Sequence, residues 1–125
     1  MRPAEPYRGE VYFADLNPPP DLEQGSEQTG VRPVLILSNN RLNRVTNCVV
    51  VVPLSTSESA GRFPTSVAIP QGSGRLQRAS FALCQQIRVL DKNRLRDRVG
   101  QLPAEIVQRV GDKVAEILEL EMLIQ

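Results

Sequence analysis

The sequence predicts a single α+β domain over residues 1–125, built mostly of antiparallel β-strands with one helix at the C-terminal end. Three observations lead to this prediction. About five short apolar or alternating segments are separated by turn-forming residues, helical spacing of apolar residues is confined to the last segment, and the length of 125 residues with 41% apolar residues suits one globular core. The predicted architecture is a small curled sheet, partly closed as a barrel, with the helix packed against it.

The first two strands are predicted on either side of a polar loop. Residues 9–16 alternate, with Val11 and Phe13 on one side and Tyr12 and Ala14 on the other, and the prolines at 18–20 end the strand. Residues 21–30 are polar and carry two glycines, which suits a loop that approaches a ligand closely. A second strand is predicted over residues 34–37.

The middle of the chain predicts three further strands. Residues 38–47 are polar and indicate a turn or a short helical connection. Residues 48–52 are apolar throughout and mostly β-branched, which predicts a strand covered on both faces. Residues 66–69 form a short strand before a turn at 70–74, and residues 80–90 alternate as one longer strand that carries Gln85, Gln86 and Arg88 near its end.

The final segment predicts a helix. Pro103 suits the first helical position, and one apolar stripe follows it at helical spacing. The stripe consists of Ile106, Val107, Val110, Val114, Ile117, Leu118 and Met122.

The net charge of +1 indicates no particular partner, but the charges are unevenly distributed. Residues 75–98 contain seven arginines and lysines against two aspartates, whereas residues 99–125 are net acidic. A basic segment of this kind attracts phosphates, and it equally suits a solvated surface. Charge alone leaves both interpretations open.

Several catalytic classes are excluded by composition. The chain has no histidine, so it cannot form a Ser-His-Asp triad, a two-histidine ribonuclease site or the usual four-ligand zinc site. Cys48 and Cys84 lie in apolar segments and are expected to be buried free thiols. Arginine, hydroxyl, amide and carboxylate groups remain, and they suit a phosphate because the arginine fork matches phosphate oxygens. RNA would bring its own nucleophile, the 2′-hydroxyl.

Six short motifs occur in a consistent order. They are RGEVYFADL at residues 8–16, GSEQ at 25–28, RPVLILSN at 32–39, VPLS at 52–55, FPT at 63–65 and QIR at 86–88. Together with the C-terminal helix, this series resembles the MazF/PemK toxins, which share an RG[DE] start, a GSEQ loop, an RP strand, a VPLT segment, an [FL]PT element and a QIR strand. Each motif alone is weak, but six in register with compatible gaps are specific.

The resemblance implies a CcdB/PemK-type, SH3-like barrel, a homodimer, and metal-independent cleavage of single-stranded RNA to a 2′,3′-cyclic phosphate and a 5′-hydroxyl. It implies that Arg32 is the principal catalytic residue, with the family's catalytic threonine falling on Ser55 and Thr56 beside it. Glu27 or a water would deprotonate the 2′-hydroxyl. The expected RNA-binding residues are Ser26, Gln28, Arg75, Arg78, Gln86 and Arg88.

The expected partners are single-stranded RNA or mRNA and a MazE-like antitoxin, with no cofactor, metal, membrane or DNA. The polar N-terminus and the absence of a long apolar segment predict a soluble, cytoplasmic protein.

Two departures from the family leave the cleavage sequence open. The first loop is longer than usual at residues 18–24, and Gln85 stands where many relatives carry an acid. Two other functions share these features of fold: a non-catalytic RNA- or partner-binding module, and a CcdB-type gyrase poison. The gyrase poisons use a tail that contains tryptophan, and this chain has none.

Overall fold

The computed structural model describes residues 5–18 and 25–120. Within these ranges the chain forms seven strands and two α-helices: β1 Glu10–Asp15, β2 Val31–Ile36, α1 Asn40–Val45, β3 Cys48–Ser55, β4 Ser66–Ile69, β5 Ser80–Leu83, β6 Arg88–Asp91, β7 Leu95–Gln101 and α2 Ala104–Ile117. Residues 19–24, which include the start of the predicted polar loop, and Met122 of the predicted helical stripe lie outside the described residues.

One antiparallel sheet contains all seven strands, which confirms the predicted fold class. Its order is β4-β5-β3-β2-β1-β7, and β6 pairs with β3 as well. Val49, Val51 and Val52 of β3 are fully buried, which confirms the prediction that both faces of this strand are covered. It pairs with β2 on one edge and with β5 and β6 in succession on the other.

The sheet is not closed by hydrogen bonds, since the described ladder ends at β4 on one side and β7 on the other. Its two ends are nevertheless in contact through two glycines. Gly74, which has a φ of +58°, lies against Gly100 on β7, where an added Cβ would be 2.2 Å from the Gly74 carbonyl oxygen. The contact between the β4–β5 connection and β7 therefore depends on backbone packing that a side chain would prevent.

Helix α2 covers one face of the sheet. Its buried residues Ile106, Val107, Val110 and Val114 belong to the same cluster as Val11, Leu35 and Val52 from the strands. A second cluster on the other face includes Tyr12, Val34, Val51 and Leu90. Two details of the predicted helix are wrong: Pro103 precedes the helix as its N-cap, and Leu118, which follows the last helical turn, is 52% exposed.

The predicted single strand over residues 80–90 is wrong, because this segment forms two strands. Phe81 on β5 pairs with Ser55, whereas Arg88 on β6 pairs with Val51. The two registers against β3 differ by three residues, and a 3₁₀ turn over Cys84–Gln86 takes up the difference. This turn projects its glutamines beyond the sheet ladder.

The sequence also failed to predict β7. This strand reads LRDRVGQ, and its three charged residues obscure the alternating pattern. It lies at the edge of the sheet, where charged side chains discourage pairing with other chains. The predicted short helical connection is confirmed as α1, and Oδ1 of its N-cap Asn39 accepts a 2.8 Å hydrogen bond from Leu42 N–H.

Candidate nucleic-acid interface

A groove of about 610 Å³ lies between the loop that leads into β2 and the segment that contains β6. The expected site residues Ser26, Glu27, Gln28, Gln86 and Arg88 all line it. Apolar side chains, Pro18, Ile87 and Val89 among them, form other parts of its wall. The groove thus combines two arginines, amides and apolar surface with two carboxylates, Glu27 and Asp91. Arginine, amide and apolar groups are those expected where nucleotides bind through phosphate, base edge and base face.

Four hydrogen bonds between side chains and backbone groups position the end of the loop and the segment that leads into it. Gln28 N–H donates to Oε1 of Gln86 at 2.8 Å, and Gly30 N–H donates to Oδ1 of Asn17 at 2.9 Å. Arg94 donates from Nη1 to the carbonyl oxygens of Asp15 and Asn17, at 3.1 and 2.8 Å. The C-terminal end of the GSEQ loop is therefore bonded to the turn before β6, and Gly30, just after this loop, is bonded to Asn17 at the end of the preceding strand segment.

Arg32 is exposed on β2 beside this groove rather than among its lining residues. Its Nε donates to the carbonyl oxygen of Thr29 at 2.9 Å, and Thr29 does line the groove. Within the described part of the chain, the two terminal nitrogens of its guanidinium have no hydrogen-bond or ion-pair partner. One nitrogen orients the side chain and the others remain available for phosphate oxygens.

Ser55 and Thr56 differ in their environment. Ser55 is buried at the end of β3, where its Oγ accepts a 3.1 Å hydrogen bond from Ser57 N–H, while Thr56 is exposed just beyond the strand. On β2 and β3, Val34 is opposite Pro53. Continuing this antiparallel register by two residues aligns Arg32 with Ser55, so the two side chains belong to the same face of the sheet.

Arg88 belongs to that face as well. It is opposite Val51 on β3, four residues before Ser55, which corresponds to about 13 Å along the strand. Arg88 and the Arg32–Ser55 pair therefore occupy separate positions along one face. A chain of nucleotides would contact them in succession.

Arg75 and Arg78 are exposed in the connection between β4 and β5 and do not line the groove. Other members of the basic segment are committed to internal contacts. Lys92 Nζ is 2.7 Å from Glu5, Arg98 Nε is 2.5 Å from Glu10, and Arg96 is 3.6 Å from Asp15. The net positive charge of residues 75–98 is thus partly neutralised within the fold, and Arg88 and Arg94 are the arginines of this segment that line the groove.

A buried carboxylate at Glu10, the acid of the RGE motif, was not expected to have a structural role. It accepts hydrogen bonds from Tyr7 N–H at 2.6 Å and Tyr12 Oη at 3.4 Å in addition to the Arg98 contact. Burial, followed by the nearby Glu10 charge, raises the pKa of Tyr12, and the hydrogen bond to Glu10 raises the pKa of Arg98. These residues connect β1 to β7 and lie away from the groove lining.

Both cysteines are free, and they differ in exposure. Cys84 is fully buried, and burial raises the pKa of its thiol to about 11. Cys48 is only half-buried, so the expectation that both thiols are buried is wrong for this residue; it lies at the start of β3, where covering is incomplete. A raised pKa keeps the Cys84 thiol protonated and makes it a poor nucleophile.

Among the groove residues that sequence reasoning missed, Asn17 and Arg94 make hydrogen bonds that position the segments around it. Asn17 precedes a proline run and was interpreted as the end of a strand, and Arg94 was counted as part of the basic segment. No local pattern reveals these hydrogen bonds, because the partners are separated by up to 79 residues in the chain.

Neither a cluster of metal-ligating side chains nor a membrane-spanning helix is found among the described residues. No three of their histidine, cysteine, aspartate and glutamate side chains come together as a potential metal site. None of their helices is both long and apolar enough to cross a membrane.

Comparisons with known proteins agree with these observations. Residues 7–118 match the family model described as PemK-like, MazF-like toxin of type II toxin–antitoxin system. The chain is 39% identical over 115 residues to endoribonuclease EndoA of Bacillus subtilis (strain 168), covering 92% of each chain. It is 37% identical over 107 residues to endoribonuclease MazF of Staphylococcus saprophyticus, covering 86% of each.

Solved structures give the same result for the fold. A crystal structure of MazF from Deinococcus radiodurans superposes with a TM-score of 0.80 at 25% identity, covering 94% of this chain and 100% of that one. A mycobacterial endoribonuclease in complex with its cognate antitoxin superposes with a TM-score of 0.71 at 30% identity, covering 95% of this chain and 98% of that one.

Proposed function

This chain belongs to the PemK-like, MazF-like family of type II toxins, and we propose that it is an endoribonuclease that cuts single-stranded RNA in the groove beside Arg32. The observation that carries this proposal is the partly anchored guanidinium of Arg32. One nitrogen is bonded to Thr29 in the groove wall while the terminal nitrogens remain available, and Ser55 is aligned with it on the same face. This arrangement suits the binding of a phosphoryl group and the stabilisation of the negative charge that develops on its oxygens during transfer.

The reaction that fits these residues is transfer within the RNA itself. The 2′-oxygen attacks the adjacent phosphorus, the bond from phosphorus to the 5′-oxygen breaks, and a 2′,3′-cyclic phosphate and a 5′-hydroxyl are formed. The proton of the 2′-hydroxyl passes to Glu27 or to a water, and the departing 5′-oxygen takes up a proton from solvent water. The protein has to align these atoms and stabilise the charge that develops on the phosphoryl oxygens.

Each site residue has a role that follows from its chemistry. Arg32 stabilises the developing charge, because arginine does not readily give up its proton and is a poor general base. Ser55 donates a hydrogen bond from its hydroxyl to a phosphoryl oxygen while its oxygen accepts from Ser57 N–H. Arg88, Gln28, Gln86 and Ser26 hold the flanking backbone and bases, and Arg75 and Arg78 attract RNA from outside the groove.

The partners are proposed from the family, in which a mycobacterial endoribonuclease has been solved in complex with its cognate antitoxin. The toxin acts as a homodimer on mRNA in the cytoplasm, and a MazE-like antitoxin inhibits it. Antitoxins of this kind present an acidic segment that folds on binding. Such a segment would bind Arg88 and the GSEQ loop, which are the groups that bind RNA in the groove. The antitoxin and RNA therefore compete for one site. Both bind more weakly as the salt concentration rises, because salt screens the charges involved.

The function is tested by mapping cut sites on a long unstructured RNA after incubation with the purified protein. Cuts at one short recurrent sequence support a sequence-specific endoribonuclease. Binding without cutting indicates a non-catalytic module, and inhibition of gyrase without cutting indicates a gyrase poison. Competition is tested separately by titrating antitoxin peptide into Arg32→Ala protein that holds labelled RNA; RNA that stays bound at peptide saturation contradicts the shared site.

A further inference from the structure

Two amide side chains of the groove have their oxygens already engaged. Oδ1 of Asn17 accepts from Gly30 N–H at 2.9 Å, and Oε1 of Gln86 accepts from Gln28 N–H at 2.8 Å. A backbone N–H can only donate, so the acceptor must be the amide oxygen and the orientation of each side chain is determined. The NH₂ group of each amide has no hydrogen-bond partner among residues 5–18 and 25–120.

These two NH₂ groups lie on different segments of one groove, and both can only donate. A base that offers carbonyl oxygens complements them. At C4, uracil presents a carbonyl oxygen where cytosine presents an amino group. At C6, guanine presents a carbonyl oxygen where adenine presents an amino group. An amino group set against these amides would leave donors facing donors, which is unfavourable when water is excluded.

Phosphate oxygens are acceptors as well, but other groups in the groove serve them better. Arg88 is charged and Arg94 contributes a second cation, whereas the two amides are neutral. The apolar wall formed by Pro18, Ile87 and Val89 suits the face of a base rather than a phosphate. The amides are therefore better placed to read a base edge than to bind the backbone.

We propose that Asn17 and Gln86 are specificity-determining residues that favour uracil or guanine, which carry a carbonyl oxygen at pyrimidine C4 or purine C6, over cytosine or adenine, which carry an amino group at that position. This inference rests on the proposed function, because it assigns the bases that the same groove recognises. It adds Asn17 to the residues that contact RNA and gives Gln86 a defined direction of hydrogen bonding.

The test uses four single-stranded RNA heptamers that differ only in the central base, and it measures their binding to Arg32→Ala protein. We expect uracil to bind tighter than cytosine, or guanine tighter than adenine, by about tenfold. Asn17→Asp and Gln86→Glu, each added to Arg32→Ala, keep an oxygen for the loop N–H but replace the donor with an acceptor. Either change should reduce this ratio to about twofold or less, or invert it.

Gln71→Glu is the matched control, because it adds the same charge at an exposed glutamine outside the groove lining. This variant should leave the uracil-to-cytosine and guanine-to-adenine affinity ratios unchanged. If the added charge weakens the binding of all four RNAs equally, these ratios also stay the same. Equal binding of all four RNAs, or a ratio that both groove variants leave intact, overturns the inference. Cleavage of RNA by the wild-type protein decides the proposed function separately, since base-selective binding is measured without cleavage.

Discussion

The backbone N–H of Gln28 donates a 2.8 Å hydrogen bond to Oε1 of Gln86, and these residues are 58 positions apart in the chain. This bond joins the GSEQ loop to the turn between β5 and β6, two segments that the motif series names separately. Because both segments line one groove, the contact makes the loop part of a preformed surface. A loop held in this way contributes side chains to binding at a lower entropic cost.

Arg32→Ala should reduce RNA cleavage at least about 10²-fold, because it removes a contact to the charged transition state. Arg32→Lys should also be poorly active, since a single ammonium cannot reproduce the arginine fork. Cleavage rates on a mapped RNA site provide the measurement, and the melting temperature checks that the fold is retained. Arg41→Ala, which removes another exposed arginine, is the control. Near-normal cleavage by either Arg32 variant would rule this residue out as central.

Ser55→Ala should lower cleavage about tenfold to a hundredfold, because a hydrogen bond to a charged group is lost. Thr56→Ala should cleave almost normally, since Thr56 is exposed and follows the end of β3. Ser55→Thr should retain activity because it keeps the hydroxyl. The three variants are compared in one cleavage assay; a greater loss in Thr56→Ala than in Ser55→Ala would reverse the assignment.

Stability should fall as the pH rises from about 9 to about 11. The folded-state pKa of Cys84 is about 11, raised by burial from an ordinary value of 9.0, so the unfolded chain releases this proton first. The contribution of Cys84 is present below pH 9 and is lost towards pH 11, by up to about 2–3 kcal/mol. Burial of Tyr12 acts in the same direction at a higher pH.

Urea unfolding at several pH values measures this effect, and the slope with pH is the quantity to compare. Cys84→Ala should be less stable overall but should lose less stability between pH 9 and 11 than the wild type. Parallel pH profiles for the two proteins would show that Cys84 does not control the alkaline decline.

Gly100→Ala should destabilise the protein by at least about 2 kcal/mol, because the added methyl group would lie 2.2 Å from the Gly74 carbonyl oxygen. Gly111→Ala is the matched control. It lies in α2, its added methyl would make an ordinary 3.5 Å contact with Arg8, and helix propensity favours alanine by up to about 1 kcal/mol. Denaturant midpoints compare the two variants; equal stability would mean that the two ends of the sheet do not depend on this contact.

The sequence was sufficient for the elements whose apolar pattern is local. The buried β3 strand, the short β4 strand and the apolar face of α2 were predicted because their burial follows from adjacent residues. The β7 strand was missed because charged residues interrupt its alternation, and its pairing with β1 is set by tertiary structure. The turn at Cys84–Gln86 arises from a change of register on β3, which no pattern within residues 80–90 reveals.

The site was predicted to a similar extent. The motifs at residues 25–28 and 86–88 identified residues that do line one groove, although 58 positions separate Gln28 from Gln86. Asn17 and Arg94 were not predicted as site residues because each bonds a backbone group that is distant in the chain, Asn17 that of Gly30 and Arg94 that of Asn17. The catalytic roles of Arg32, Ser55, Thr56 and Glu27 remain predictions for the experiments above.

The central claim, cleavage by attack of the 2′-hydroxyl, is tested most directly with one mapped RNA substrate and a copy that carries a single deoxyribose on the 5′ side of the scissile phosphate. Both are incubated with the wild-type protein in excess EDTA. The all-ribose substrate should be cut to a product ending in a 2′,3′-cyclic phosphate, and the substituted copy should stay intact at that position because it lacks the nucleophile. Cleavage of the deoxyribose copy, or activity that EDTA abolishes and magnesium restores, would contradict this mechanism.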